Sequence, residues 1–282
     1  MPATPTAKRL TAVVGAIAVL LSLVGCPASE PTTTTCTSAL GKSHVNIGVK
    51  ADQPGWGYEE NYTRSGFDYD LANWLAHELC FTATFVNVAS AQREEYLISG
   101  RVDLVIATFS KTDDRATRVS FAAPYVVNQQ GVLVRAGDTR VTRISDLDGL
   151  AVCTASGTTS LLQLEAAGSI EITTVALTGF RECVDELIAG RVDAISTDQL
   201  ILYGLAQHDS RLAVVPDLVF GHQERYGIGL PHGNTEWCET LTAAIRKFIV
   251  SGRWDSAFQL NLPNVEQPGR YRPDPNLLDR CA

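Results

Sequence analysis

Beyond residue 25 the chain has no apolar run long enough to span a bilayer. It has no excess of positive charge either: 23 Lys and Arg stand against 31 Asp and Glu, a formal net charge of −8. That balance argues against nucleic acid or an anionic membrane face as a partner. No Cys-x-x-Cys and no His-x-x-x-His spacing occurs, so neither a metal site nor a metal cofactor is expected. No Ser-His-Asp or Cys-His pattern marks a nucleophilic catalyst. The five histidines, His44, His77, His208, His222 and His232, fall in predicted termini, helices or surface turns.

What is present begins with an export signal over residues 1–25. Lys8 and Arg9 supply its positive start, and a small, apolar stretch free of acidic residues follows. The segment closes on Leu23-Val24-Gly25-Cys26, which resembles a bacterial lipobox. The resemblance implies cleavage before Cys26, lipid on that residue, and attachment to the outer face of the cytoplasmic membrane through lipid alone. A plain secretory peptide with an incidental Cys26 is the alternative. Residues 26–43, with threonine at positions 32 to 35, read as a flexible tether. Loss of Lys8 and Arg9 with the signal would leave 21 basic residues of the 23 against 31 acidic ones, a net −10. Of the seven cysteines, the six after Cys26 suit disulfides in an exported chain better than metal ligands. Cys153 and Cys183 make the best pair on proximity. Cys36–Cys80 and Cys238–Cys281 could account for the other four, but spacing alone leaves the connectivity open.

The tetrapeptide Gly-Arg-Val-Asp occurs twice, at Gly100 to Asp103 and Gly190 to Asp193. Each copy follows a helical pattern, with the glycine as the helix stop, and precedes a short apolar strand. Polar residues come directly after those strands: Thr108 and Ser110 in the first case, Thr197 and Asp198 in the second. The pattern also reads as ordinary α/β punctuation, but two similar units with polar groups at their strand ends predict a ligand held between them. Around the repeats, strands are predicted over 45–49, 82–88 and 103–107, and helices over 68–79 and 91–99. Strand and helix patterns alternate again over about 131–220. A strand over 226–230, a helix over 235–249 and an irregular tail beyond 262 complete an α/β chain with largely parallel sheets.

The block from Asp103 to Arg115, Asp-Leu-Val-Ile-Ala-Thr-Phe-Ser-Lys-Thr-Asp-Asp-Arg, followed by Val119-Ser-Phe-Ala-Ala-Pro-Tyr125, resembles the polar amino-acid solute-binding proteins of bacterial ABC importers. Gly66-Phe-Asp-Tyr-Asp70, Asp146-Leu-Asp-Gly149, Gly157-Thr-Thr159 and Tyr226-Gly-Ile-Gly-Leu230 follow in the family's order, covering residues 45 to about 260. Lys50-Ala-Asp-Gln-Pro-Gly55, Ser90-Ala-Gln-Arg93 and Thr197-Asp198 are similar to the glutamate-binding branch. The resemblance implies a two-lobe, periplasmic-binding-protein-like (type II) clamp joined by two crossing strands. The first lobe would be residues 44–130 plus 222–262, the second 131–221, and 263–282 a C-terminal tail. It also implies a polar amino acid as ligand, glutamate foremost, and as partners an ABC permease with its cytoplasmic ATPase.

An amino acid presents a carboxylate, an ammonium and a side chain. For the carboxylate, the resemblance points to Arg115, whose planar fork matches two carboxylate oxygens. A solvated pair with Asp113 or Asp114 is its alternative role. Thr158 and Thr159 open a predicted helix over 160–167, where backbone N–H groups suit an anion, though simple capping suits them too. Asp198 stands where the family places its amine-binding carboxylate, with Thr108 and Ser110 as neutral acceptors; it could instead cap the helix that follows. Arg93 and Lys50 are the candidates for a distal carboxylate, or else ordinary surface charges. Trp56 or Tyr58 would cover the ligand's aliphatic part or pack on the lobe surface; Trp56 departs from the branch pattern. Two rivals keep the same site: an amino-acid sensor reporting to a signalling partner, and a dehydratase, which would need a positioned general acid.

Overall fold

The computed structural model describes residues 36–166 and 171–281. The export signal, Cys26 and most of the tether therefore lie outside the described residues. Among the described residues, no helix is long and apolar enough to cross a membrane.

The chain enters through β1 (His44–Val49), then a small antiparallel sheet of β2 (Asp52–Gln53), β3 (Gly57–Glu60) and β4 (Thr63–Ser65). Next come α1 (Phe67–Glu78), β5 (Thr82–Asn87), α2 (Arg93–Ile98), β6 (Leu104–Val105) and the single turn α3 (Asp113–Ala116). The 17-residue strand β7 (Val119–Arg135) leads into β8 (Ala151–Ala155), α4 (Thr159–Ala166), β9 (Thr173–Leu177), α5 (Phe180–Ile188), β10 (Ala194–Asp198) and α6 (Gln199–His208). The 20-residue strand β11 (Leu212–Pro231) returns, and α7 (Thr235–Val250) and α8 (Arg253–Asn261) close the order.

Eight strands form one sheet in the order β5-β1-β6-β11-β7-β10-β8-β9. The parallel pairs lie at its two ends, β1 with β5 and β6, and β8 with β9 and β10. Between them β7 and β11 run antiparallel to each other and join both ends, as a two-lobe clamp with two crossing strands requires. Their register breaks between Val214 and Val219 and again between Phe220 and Glu224, opposite Asn128 and Gln130. Unpaired residues at such breaks let a ladder bend.

The repeated tetrapeptides occupy equivalent places at the two ends. Gly100 and Gly190 end α2 and α5 with φ of 70° and 71°, a left-handed turn that costs glycine little. Asp103 N–H donates to Asn46 O at 2.8 Å while its Oδ2 accepts from Asn46 N at 2.8 Å. Asp193 does the same with Ala151, at 2.7 and 3.1 Å. Each aspartate thus fastens the strand it starts to the neighbouring parallel strand. This leaves Asp193 outside the site, at the opposite end of its strand from Asp198.

Cys153 in β8 is bonded to Cys183 in α5, Cys36 to Cys80, and Cys238 in α7 to Cys281. The last bond, with Asp279 against Arg225 at 2.6 Å and Lys111 at 3.1 Å, holds the C-terminal segment onto the end of the molecule that carries β1. Helix α8 was not anticipated from sequence. It buries Trp254 and Phe258 against Phe67, and the Trp254 indole N–H reaches Tyr125 O at 2.7 Å. Replacing both Cys153 and Cys183 by alanine should lower the unfolding free energy in urea titration by about 2–4 kcal/mol, the usual effect of opening a loop of this size.

Candidate functional site

Strand ends and helix starts from both ends of the sheet meet around one small cavity. Gln53, Ser90, Arg93, Thr108 and Ser110 come from the β1 side. Thr158, Thr159, Ser160, Thr197 and Asp198 come from the β8 side, with Phe180 and Ile201 as apolar wall. The enclosed free volume is about 10 Å³, room for roughly one water molecule. An amino acid therefore enters only if the lobes part, which two crossing strands with broken registers permit.

Arg93, the first residue of α2, is 2 % exposed. Its Nε donates to Ser90 O at 3.0 Å and its Nη1 to Ala107 O and Thr108 O, both at 2.9 Å. Its Nη2 crosses to Gly157 O at 3.2 Å. Arg115 sits in α3, whose start Thr112 caps by accepting from Arg115 N. Its Nη1 donates to Ser110 O at 2.7 Å and its Nη2 to the same Gly157 O at 2.9 Å. Its carboxylate neighbour is Glu94, at 3.5 Å, and not Asp113 or Asp114. Both guanidiniums lie over the Phe109 ring, 4.5 and 5.0 Å from its centroid. Two cations are thus held against one aromatic ring and share one carbonyl, Gly157 O, just before α4. Burial, followed by the neighbouring Arg115, lowers the Arg93 pKa to about 9, so it stays cationic at neutral pH. Burial lowers that of Arg115 as well.

Across the cavity Asp198 ends β10. It occupies the N-cap position of α6 yet makes no side-chain cap bond. Tyr226 of β11 donates its hydroxyl to Asp198 Oδ2, and Asn128 of β7 donates to that hydroxyl at 3.4 Å. Asp198 Oδ1 is buried and has no hydrogen-bond partner among the described residues. Burial, then the nearby Glu224, raises the Asp198 pKa well above the usual carboxylate range. A buried acceptor with nothing to accept is costly, and an ammonium group would remove that cost.

Thr158 Oγ1 donates to Ala155 O at 2.6 Å, and Thr159 opens α4. Ser160 Oγ lies 3.0 Å from Thr197 Oγ1. Lys50, 1 % exposed, stands one layer away: its Nζ is 3.1 Å from Asp52 Oδ1 and 3.3 Å from Ser90 Oγ. It faces a groove of about 740 Å³ at the mouth of the cleft, and burial lowers its pKa. Trp56 does not line the cavity. The indole is fully buried against Phe67 and Tyr226 and donates to Leu200 O at 3.0 Å, so the expected ligand-covering role is corrected to packing between the lobes. Tyr58 is at the surface, its hydroxyl 3.0 Å from His208 Nε2 and its ring under Arg181.

Sequence reasoning missed Gln53, Ser90, Phe109, Ser160 and Tyr226 as parts of this arrangement. It also missed Asp68, fully buried in α1. Asp68 Oδ2 accepts from Thr108 N at 2.9 Å and its Oδ1 from the Tyr125 hydroxyl at 2.8 Å. Burial raises its pKa to about 7, against the lowering effect of those two donors and Arg93. The folded state therefore holds this proton more tightly than the unfolded chain. The resulting stabilisation is full below the unfolded pKa of 3.8 and is lost as pH rises through about 7.

Residues 45–260 match the family described as bacterial extracellular solute-binding proteins, family 3. The glutamate-binding protein GluB of Corynebacterium glutamicum is 31 % identical over 277 residues, 93 % of each chain. A glutamine-binding protein of Geobacillus stearothermophilus is 30 % identical over 216 residues, 74 % of this chain and 81 % of that one. Among solved structures, an ancestral arginine-binding protein bound to glutamine superposes with a TM-score of 0.71 at 28 % identity, covering 78 % of this chain and 98 % of the other. With residues 45–260 matched by the family and a relative 31 % identical over 93 % of the chain, the chain belongs to the bacterial extracellular solute-binding proteins, family 3.

Proposed function

We propose that this protein is an extracytoplasmic receptor that captures a polar amino acid, foremost L-glutamate, by closing two lobes on it. The observation that carries the reading is charge placement around one small cavity, which Arg93 and Asp198 line and which Arg115 adjoins without lining it. Two guanidiniums share Gly157 O on one side, and a buried carboxylate oxygen without a partner stands on the other. Arg115, with the start of α4 at Thr158 and Thr159, takes the main-chain carboxylate. Asp198 takes the ammonium, with Thr108 and Ser110 as further acceptors. Arg93, with Lys50 behind Ser90, takes the distal carboxylate of an acidic side chain. The relatives' names support the choice of ligand class: one is a glutamate-binding and one a glutamine-binding protein.

The lobes are residues 44–130 plus 222–262, and 131–221. Lipid on Cys26 and a tether over 26–43 hold the receptor at the outer face of the cytoplasmic membrane. The closed form is delivered to an ABC permease with its cytoplasmic ATPase, and the ligand passes on chemically unchanged.

The test is calorimetric titration of the chain from Cys36, unfolded and refolded to strip carried ligand, with L-glutamate, L-glutamine, L-aspartate and L-histidine. Glutamate-selective heat supports the reading, and silence toward all four overturns it. In the same assay Arg93→Ala should cut the preference for glutamate over glutamine by about tenfold or more, the scale of one charge-assisted contact, while glutamine affinity changes less.

A further inference from the structure

We propose that Asp68, which does not line the cavity, is a positioning residue for side-chain recognition: its ionised carboxylate fixes Thr108 and, through it, the Arg93 guanidinium. The inference rests on the functional reading above and deepens it.

The geometry runs in three steps. Thr108 has a φ of 43°, the left-handed region that a β-branched residue rarely occupies. Such a conformation persists only where its surroundings over-determine it. The surroundings are Asp68 Oδ2, which accepts Thr108 N–H at 2.9 Å, and Gln53 Oε1, which accepts the Thr108 hydroxyl at 2.9 Å. This turn aims Ala107 O and Thr108 O at Arg93 Nη1, each at 2.9 Å. The guanidinium is thereby held over Phe109, 4.5 Å from its centroid, with Nη2 donating across the cavity to Gly157 O.

The groups that face Asp68 are few. Tyr125 of β7 donates to it, Thr108 donates from the end of the β6 segment, and the Arg93 cation of α2 attracts it. Tyr69, next to it on α1, senses its charge. No cation is hydrogen-bonded to Asp68 among the described residues, so no salt bridge holds it ionised. A proton on the carboxyl would need an acceptor, and Tyr125, now a donor, would have to turn. It would also remove the charge that attracts Arg93. Near neutral pH both states are within reach. Glutamate's own side chain stays ionised there, since its ordinary pKa is about 4.3. Asp198 faces the ammonium that both ligands share, so its titration acts on both affinities and cancels in their ratio.

The experiment measures L-glutamate and L-glutamine affinities of the stripped protein by calorimetry at several pH values from 6 to 8. For the wild type, the glutamate-to-glutamine affinity ratio is expected to fall about tenfold from pH 8 to pH 6, the equivalent of about 1.4 kcal/mol. Asp68→Asn should show the low ratio at pH 8 already, and no slope. Tyr125→Phe keeps the charge but removes a donor that favours it, so its midpoint should move to higher pH. This second variant serves if Asp68→Asn does not fold. A ratio and slope unchanged by Asp68→Asn, or a midpoint unmoved by Tyr125→Phe, overturns the proposal while leaving the receptor assignment intact. A wild type that binds neither ligand overturns the assignment and this proposal with it.

Discussion

Arg115→Ala is expected to lower the affinity for every amino acid alike, by about a hundredfold or more, because the contact proposed for it is with the part of the ligand that all of them share. A charge-assisted, bidentate guanidinium–carboxylate contact in a closed cavity is among the strongest polar interactions a protein makes. Removing one partner of a buried ion pair typically costs about 3–5 kcal/mol, since the remaining charge stays desolvated. The site is already built around this side chain. Phe109 supports the guanidinium, Ser110 O and Gly157 O orient it, and the capped turn of α3 fixes its backbone. Arg115→Lys should restore little of the loss, because an ammonium cannot reproduce the planar fork or the stacking. Equilibrium titration with several amino acids checks both variants. Normal binding by Arg115→Ala would show that the carboxylate lies elsewhere.

Arg115 and Asp198 were singled out because each matches a motif of the family just after a strand, and the structure brings Asp198 to the cavity and Arg115 beside it. The two Gly-Arg-Val-Asp units marked the two strands whose polar ends line that cavity. Each unit joins a helix stop, a bidentate aspartate and a short apolar strand within a few residues, so local chemistry alone specifies it. Other parts depend on partners far along the chain. Asp68 reads as one acidic residue at the start of an amphipathic helix, and only the fold brings Tyr125 and Thr108 to it. Tyr226 meets Asp198 across 28 residues of sequence. Trp56 was left open between covering a ligand and packing, because an aromatic in a glycine-rich loop looks the same either way, and the structure buries it against Phe67 and Tyr226. Strand β11 was visible only over 226–230. Upstream, Pro216, Asp217, Gly221 and Glu224 interrupt the alternation of apolar and polar residues, and those interruptions coincide with the register breaks where the strand crosses.

Gly204→Ala is expected to separate binding from stability. Gly204 lies in the middle of α6, where alanine is the better helix former by about 1 kcal/mol. On its own lobe the substitution should therefore be neutral or stabilising. Against the other lobe there is no room: a Cβ on Gly204 would lie 1.9 Å from Pro54 O and 3.0 Å from Pro54 C, both backbone atoms. Relief requires Pro54 and α6 to move apart by more than 1 Å, a displacement that packed surfaces do not absorb by small adjustment. The bond from Trp56 Nε1 to Leu200 O, one turn earlier on α6, is pulled open with them. The closed form then becomes rare, and apparent affinity falls in proportion to its population. A loss of about a hundredfold, equivalent to about 2.7 kcal/mol against closure, is the expected scale. Glutamate and glutamine should lose affinity by the same factor, because no ligand contact has changed. Small-angle scattering of the variant with saturating glutamate should still show an extended, open clamp, and its thermal midpoint without ligand should equal or exceed that of the wild type. Unchanged affinity would mean that α6 and Pro54 are not in contact when ligand is held. A lowered thermal midpoint would mean that the contact belongs to the fold itself rather than to its closing.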